Sequence, residues 1–128
     1  MILLDTSVLL EYFRKQKKEE TLLFQLFESG DKLFISTITR YEIMIGNSPK
    51  QETFWDNVLK SLNVLVFGEK EADRTALIYK ELKKKNKRID FADMAIGATA
   101  LVHEMPLATL NIKHFQRIDK LIIIEKTA

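Results

Sequence analysis

Ile2-Leu3-Leu4-Asp5-Thr6-Ser7-Val8-Leu9 opens the chain with an apolar triplet, three polar residues and a return to apolar ones. The uninterrupted triplet predicts a short strand buried on both faces, as in a parallel sheet. Asp, Thr and Ser are good helix N-caps, because their side-chain oxygens accept from the backbone N–H groups that a helix start leaves unpaired. A helix is therefore predicted from this point, with Val8, Leu9, Tyr12 and Phe13 at helical spacing.

The alternation continues outward. After a charged link from Lys15 to Glu20, Leu22, Leu23, Leu26 and Phe27 mark a helix that stops near Gly30. Leu33 to Ser36 predicts a strand and Thr39 to Gly46 a helix. Past Ser48-Pro49, Phe54, Trp55, Val58, Leu59 and Leu62 mark another helix, and Val64 to Phe67 a strand. Ala72, Ala76, Tyr79 and Leu82 mark a long helix running into Lys83-Lys84-Lys85-Asn86-Lys87-Arg88. Phe91 to Val102 is small and apolar, which suits a helix packed closely on a sheet. Pro106 bars its continuation, Leu107 to Thr109 predicts a strand, Asn111 to Phe115 a turn or short helix, and Leu121 to Ile124 a last strand. Short apolar strands alternating with helices predict an α/β fold with a mostly parallel sheet.

The 128 residues set the scale at one domain, residues 1–128, with no linker or repeat to divide it. Hydrophobic residues make up 46% and charged residues 30%, a globular composition. The formal net charge of +2 is too small to imply a nucleic-acid partner, so any such signal has to come from charge placement. The absence of cysteine excludes disulfides, thiolate zinc sites, iron–sulfur clusters and a cysteine nucleophile. Two histidines, His103 and His114, do not make a His-rich metal centre. A metal site built from the remaining residues uses oxygen ligands and takes a hard cation such as Mg²⁺ or Mn²⁺. No apolar run is long enough to span a membrane, and Asp5 interrupts the only apolar start, which lacks a basic lead. These features predict a cytoplasmic protein.

Four polar positions share one context. Asp5 and Asn111 follow strands, Glu42 lies early in the helix after the second strand, and Asp93 opens the small-residue helix. Ligands of open parallel sheets bind where the carboxyl ends of strands meet helix N-termini. Each position also has a plain structural reading. Asp5 suits an N-cap, Thr39-x-x-Glu42 is a capping-box pattern, Asp90-x-x-Asp93 sets a cap before a first-turn acid, and Asn111 suits the cap of a short helix. Capping does not require all of these acids to fall at one sheet edge; a metal site does. Clustered carboxylates repel each other, and a divalent cation that relieves the repulsion is suited to phosphodiester hydrolysis. No Gly-rich phosphate loop and no G-x-S-x-G elbow is present. Asp5-Thr6-Ser7 is also similar to the aspartyl-phosphate phosphatase motif, but those enzymes carry a second Asp where Ser7 stands.

Four segments in this order resemble one family: Ile2-Leu3-Leu4-Asp5-Thr6-Ser7-Val8-Leu9, Ile35-Ser36-Thr37-Ile38-Thr39-Arg40-Tyr41-Glu42 with Gly46, Asp93-Met94-Ala95-Ile96-Gly97-Ala98-Thr99-Ala100, and Ala108-Thr109-Leu110-Asn111 with Phe115. The chain resembles PIN-domain proteins along essentially its whole length, most of all the VapC-type toxins of prokaryotic toxin–antitoxin pairs. The resemblance implies a three-layer α/β/α sandwich around a mostly parallel sheet of four or five strands. It implies a Mg²⁺- or Mn²⁺-dependent endoribonuclease, with Asp5, Glu42 and Asp93 at the acidic metal positions and Asn111 at a fourth position. Asn111 brings no negative charge, which weakens any second metal, and Asp90 compensates only if it faces the same cleft. Thr6, Ser7 and Thr109 match polar positions beside the site. The resemblance further implies homodimers and a hydrophobic groove, formed by the first helices with the third and fourth, that receives a segment of a VapB-like antitoxin.

RNA substrates need cations. Lys83 to Arg88 holds five basic residues in six, Arg14, Lys15, Lys17 and Lys18 form a second cluster, and Lys113, His114 and Arg117 follow Asn111. Lys83 and Lys84 have a plain reading as a solvated helix end. Arg40, Lys87, Arg88 and Lys113 flank the matching segments and are the predicted phosphate contacts. His103 is expected to cap or pack at its helix end, and Phe54 and Trp55 to line core or groove. A catalytically weak or inactive PIN-like module that binds RNA or protein is the alternative function that Asn111 keeps open.

Overall fold

The computed structural model describes residues 1–127. The strands are β1 (Ile2–Leu4), β2 (Leu33–Ser36), β3 (Asn63–Leu65), β4 (Leu107–Ala108) and β5 (Ile123–Ile124). The helices are α1 (Thr6–Arg14), α2 (Leu22–Ser29), α3 (Thr37–Gly46), α4 (Glu52–Lys60), α5 (Glu69–Lys84), α6 (Phe91–Val102) and α7 (Ile112–Phe115). All strand pairs are parallel, and the sheet order is β3-β2-β1-β4-β5.

Alternation along the strands builds two cores. Ile2 and Leu4 of β1, with Leu33 and Ile35 of β2, face Val8, Leu9, Leu22, Leu26, Ile43 and Trp55 from α1 to α4. Leu3, one residue out of phase, faces the other way with Leu107, against Ile78, Leu82, Ile96, Ala98 and Phe115 from α5 to α7. The result is the expected three-layer α/β/α sandwich, with five strands.

Local chemistry sets the element ends. Gly30 stops α2 in the left-handed conformation at φ 77°, which glycine adopts without steric cost. Seven consecutive residues of α6, Met94 to Ala100, are buried. At Gly97 an added Cβ would lie 2.5 Å from Ile118 Cδ1, so the glycine permits this close approach. Tyr12, Phe13, Phe54 and Trp55 pack edge to face and stacked, with centroids 5.0–6.0 Å apart, and lock α1 onto α4. Trp55 is thereby a core residue.

Several boundaries differ from the sequence reading. The third helix starts at Thr37, because Ser36 is its cap and accepts from Ile38 N at 3.0 Å; Thr39 is buried inside it and caps nothing. β3 ends at Leu65 because Phe67 N leaves the ladder and donates to Thr37 Oγ1 at 3.0 Å. α5 buries Glu71, Thr75, Ile78 and Leu82, a face rotated from the Ala72–Ala76–Tyr79 stripe. Glu71 accounts for the rotation: its Oε1 accepts from Gly68 N at 2.9 Å, and Oε2 lies 3.1 Å from His103 Nε2, so a charged residue turns inward. Burial opposes that charge, but these hydrogen bonds and the imidazole outweigh it and hold the Glu71 pKa below its usual value. His103 therefore pairs with Glu71 at the end of α6. Lys18 is not part of a free basic cluster: its Nζ donates to the carbonyls of Tyr12 and Phe13 in the last turn of α1 and sits over the rings of Tyr12 and Phe54.

Candidate functional site

The chain adds β2 and β3 on one side of β1, then crosses over to add β4 and β5 on the other. The direction of winding thus reverses between β1 and β4, which opens a crevice at their carboxyl ends. Asp5 follows β1 and Thr109 follows β4, so the sheet order brings into this crevice two residues 104 apart in sequence.

Asp5 stands in the N-cap position of α1 but makes no side-chain cap. Its Oδ2 instead accepts from Ser7 Oγ at 2.7 Å and Thr109 Oγ1 at 2.8 Å. The residue is only 3% exposed, so these two hydroxyls supply the polar contacts that water would otherwise give. The network extends across the crevice: Ser7 Oγ accepts from Leu110 N at 3.1 Å, and Thr109 Oγ1 from Asn111 N at 2.9 Å.

Thr6 turns to the other side, where its Oγ1 donates to Glu42 Oε1 at 2.6 Å and lies 3.0 Å from Thr39 Oγ1. The Thr39–Glu42 pair is therefore not a capping box; both residues hold Thr6. Glu42 keeps its second carboxylate oxygen clear of this contact.

Asp93 lies in the first turn of α6, and Oδ2 is 3.0 Å from His114 Nδ1. His114 Nδ1 is also 3.1 Å from the Asn111 side-chain amide. Burial raises the Asp93 pKa above its usual 3.8; the His114 hydrogen bond pulls it back, and the negative charge of Asp5, with a smaller push from Asp90, raises it again. Asp5 and Asp93 therefore feel each other's charge. Asp90 occupies the N-cap position of α6 without a side-chain cap and is exposed.

Residues 2–121 match the family model described as PIN domain. The chain belongs to the PIN-domain family. It is 38% identical over 120 residues to "Ribonuclease VapC1" of Methanocaldococcus jannaschii, covering 93% of this chain and 82% of that one. It is 30% identical over 131 residues to "Ribonuclease VapC" of Rickettsia bellii, covering 96% and 94% of the two chains. Its fold superimposes with a TM-score of 0.85, at 27% identity and 98% coverage of both chains, on a chain from the crystal structure of VapBC2 from Rickettsia felis bound to a promoter DNA fragment.

In this PIN domain the expected acids fall in three contacting groups, Asp5 with Ser7 and Thr109, Glu42 with Thr6 and Thr39, and Asp93 with His114 and through it Asn111, and the charge of Asp5 reaches Asp93. Among the described residues, no three His, Asp or Glu side chains converge tightly enough to grip one ion as they stand. The donor chemistry nonetheless fits a hard divalent cation. The donors are carboxylates, and although burial is the main cause of the raised Asp93 pKa, the negative charge of Asp5 adds to it, a repulsion that a cation would relieve. Asn111 reaches the site through His114, a contact that sequence reasoning missed. The signal available was the spacing of Asn111 and His114, three residues apart, one turn of a short helix.

The basic residues separate. Lys87 and Lys113 line one hollow with Gln116 and Arg117, and Arg117 Nη1 donates to the Arg88 carbonyl at 3.0 Å. Arg40 lies elsewhere, in a hollow with Asp56, Leu59 and Lys60. A third hollow, between α1, α3 and α4, is lined by Leu10, Phe13, Arg14, Glu42, Ile43 and Trp55 among others. No helix among the described residues is long and apolar enough to cross a membrane.

Proposed function

We propose that this chain is a divalent-metal-dependent endoribonuclease that acts as the toxin of a VapBC-type toxin–antitoxin pair. The observation that carries the reading is the environment of Asp5. A nearly fully buried carboxylate at the sheet's switch point caps none of its helix's backbone N–H groups and is held by the Ser7 hydroxyl of that helix and, from the neighbouring strand, by Thr109. Relatives named as ribonucleases support the same reading over nearly the whole chain.

Asp5 and Asp93 are the direct ligands of Mg²⁺ or Mn²⁺ in this proposal. The bound cation supplies charge stabilisation at the phosphoryl oxygens and makes water a better nucleophile. Ser7 and Thr109 fix the Asp5 carboxylate through Oδ2. Thr6 fixes Glu42 through Oε1, and the role assigned to its other oxygen is to orient a water and take its proton. Asn111, neutral, adds no charge to hold a second cation. Lys87, Arg88, Lys113 and Arg117 hold the RNA backbone on the α7 side. Arg40 is too removed from that cluster to extend it and contacts RNA only along a separate path. The α1–α3–α4 hollow receives a VapB-like antitoxin segment, with Glu42 at its lining.

The test is cleavage of a mixed cellular RNA pool by the purified chain in Mg²⁺, in Mn²⁺ and in EDTA, with Asp5→Asn and Asp93→Asn as controls. Discrete products that need metal and vanish in both variants are expected. Undiminished cleavage in EDTA, or by Asp93→Asn, would overturn the metal assignment.

A further inference from the structure

The hollow lined by Lys87, Lys113, Gln116 and Arg117 holds three cations, no carboxylate and one neutral amide. It is joined to the acidic site by a shared element. Lys113 and Gln116 stand three positions apart, on one face of α7 and its cap, while His114 between them turns to Asp93 at 3.0 Å. The loop that carries Lys87 leads directly into α6 and Asp93.

The cations and the amide differ in what they can bind. Lys and Arg only donate, which suits phosphate oxygens; the Gln amide both donates and accepts. A phosphodiester, which only accepts, leaves the amide oxygen unused, whereas a base edge can use both of its groups. The backbone that carries the amide is fixed. Gln116 N donates to the Ile112 carbonyl at 2.9 Å, and the turn is anchored by Phe115 and Ile118, both buried. Arg117 Nη1 ties the same turn to the Arg88 carbonyl at 3.0 Å. The Gln116 side chain is exposed, and no hydrogen bond among the described residues takes up its amide.

We propose that Gln116 is a specificity-determining residue that binds an adenine base of single-stranded RNA while the surrounding cations hold the phosphates. Single strands leave both the Watson–Crick and the Hoogsteen edge of a base free for side chains. Adenine sets its amino donor beside a ring-nitrogen acceptor on each of these edges, so an amide pairs with it from either side. Guanine presents two acceptors on its Hoogsteen edge, and the pyrimidines offer a donor beside an acceptor on the Watson–Crick edge alone. The inference rests on the RNA-binding reading above and deepens it by naming the residue that selects and the base it selects.

The experiment measures binding of the full chain, at low salt in EDTA, to short uracil-only RNAs and to the same RNAs carrying one adenine. The proteins are the parent, Gln116→Ala and Lys113→Gln. The parent is expected to favour the adenine-bearing RNA on the order of 10–100-fold, the discrimination that a bidentate side-chain contact to a base gives. Gln116→Ala brings that ratio close to unity, whereas Lys113→Gln weakens both RNAs and keeps the ratio. In Mg²⁺, the ends of products cut from a mixed cellular RNA pool should carry adenine at one fixed distance from the cut with the parent and lose it with Gln116→Ala. A parent that binds both RNAs alike, or a ratio that survives in Gln116→Ala, would overturn the proposal while metal-dependent cleavage left the nuclease reading standing. A preference in binding with no fixed place relative to the cut would overturn the role of Gln116 in the reaction. No RNA binding by the parent would overturn both readings.

Discussion

Thr109→Val tests whether the crevice is held by hydroxyls, because it removes one oxygen and keeps the shape. Thr109 is fully buried; its Oγ1 donates to Asp5 Oδ2 at 2.8 Å, accepts from Asn111 N at 2.9 Å and stands 3.4 Å from Ser7 Oγ. A hydrogen bond to a charged group is worth about 1.5–3 kcal/mol net. The stranded Asn111 N–H adds a smaller cost, since that residue is half-buried and water reaches it. Ser7 still serves Asp5, which limits the damage. The expected destabilisation is about 2–3 kcal/mol. With a urea slope of about 2 kcal/mol per M, the unfolding midpoint falls by about 1–1.5 M. Thr109→Ser is the matched control: it keeps the oxygen and loses one methyl group, a cost of about 1 kcal/mol. Urea denaturation of the three proteins in EDTA separates the cases. If Thr109→Val lies within about 0.5 kcal/mol of the parent, or if the serine variant loses as much as the valine one, the hydroxyl does not carry the interaction and the argument from Asp5 fails.

Two further outcomes follow from the charges. The folded state raises the Asp93 pKa, mainly through burial, so it binds that proton more tightly than the unfolded chain. The group's favourable contribution is therefore present below its ordinary range and is lost as pH rises through the shifted value. In EDTA at pH 7, Asp93→Asn should melt at or above the parent temperature, with the gap closing towards pH 4; a lower melting temperature at pH 7 would sink this account. For RNA binding, replacing Lys87 and Lys113 with Gln should flatten the slope of log K against log salt by about 0.7 per lost phosphate contact, whereas an unchanged slope would remove both from the interface.

The parallel α/β layout was legible because short strands buried on both faces read as unbroken apolar runs, and Ile2–Leu4 and Leu33–Ile35 are such runs. The face of α5 was not legible. Hydropathy has no means of turning Glu71 inward; that requires Gly68 N and His103 beside it, and His103 arrives from the far end of α6. β3 was misjudged at Val66 and Phe67 for a similar reason, because a side-chain hydroxyl from Thr37 takes the N–H that a ladder partner would have used. At the site, the positions of Asp5, Glu42 and Asp93 followed from their places at helix starts and from the family resemblance. The resemblance also named Thr6, Ser7 and Thr109 beside them, but the contacts of Thr39 and His114 were not legible, since these residues meet the acids only once the chain is folded.

The sheet order also decides between the two readings that the sequence left open for these acids. A capping carboxylate turns back onto its own helix and gains about 1 kcal/mol by accepting from its first N–H groups. Asp5 and Asp90 both occupy N-cap positions, and neither makes that bond. For exposed Asp90, water replaces the cap at little cost. For buried Asp5 it does not, and the chain instead commits Ser7 from its own helix and Thr109 from the neighbouring strand to one carboxylate oxygen. A strand order that separated β1 from β4 would leave Asp5 without Thr109, and capping its own helix would then be the cheapest way to satisfy its charge. Asp5 is thus tied to the neighbouring strand as well as to its own helix, and Asp93, whose pKa the Asp5 charge helps to raise, contacts His114, which in turn lies against the Asn111 amide.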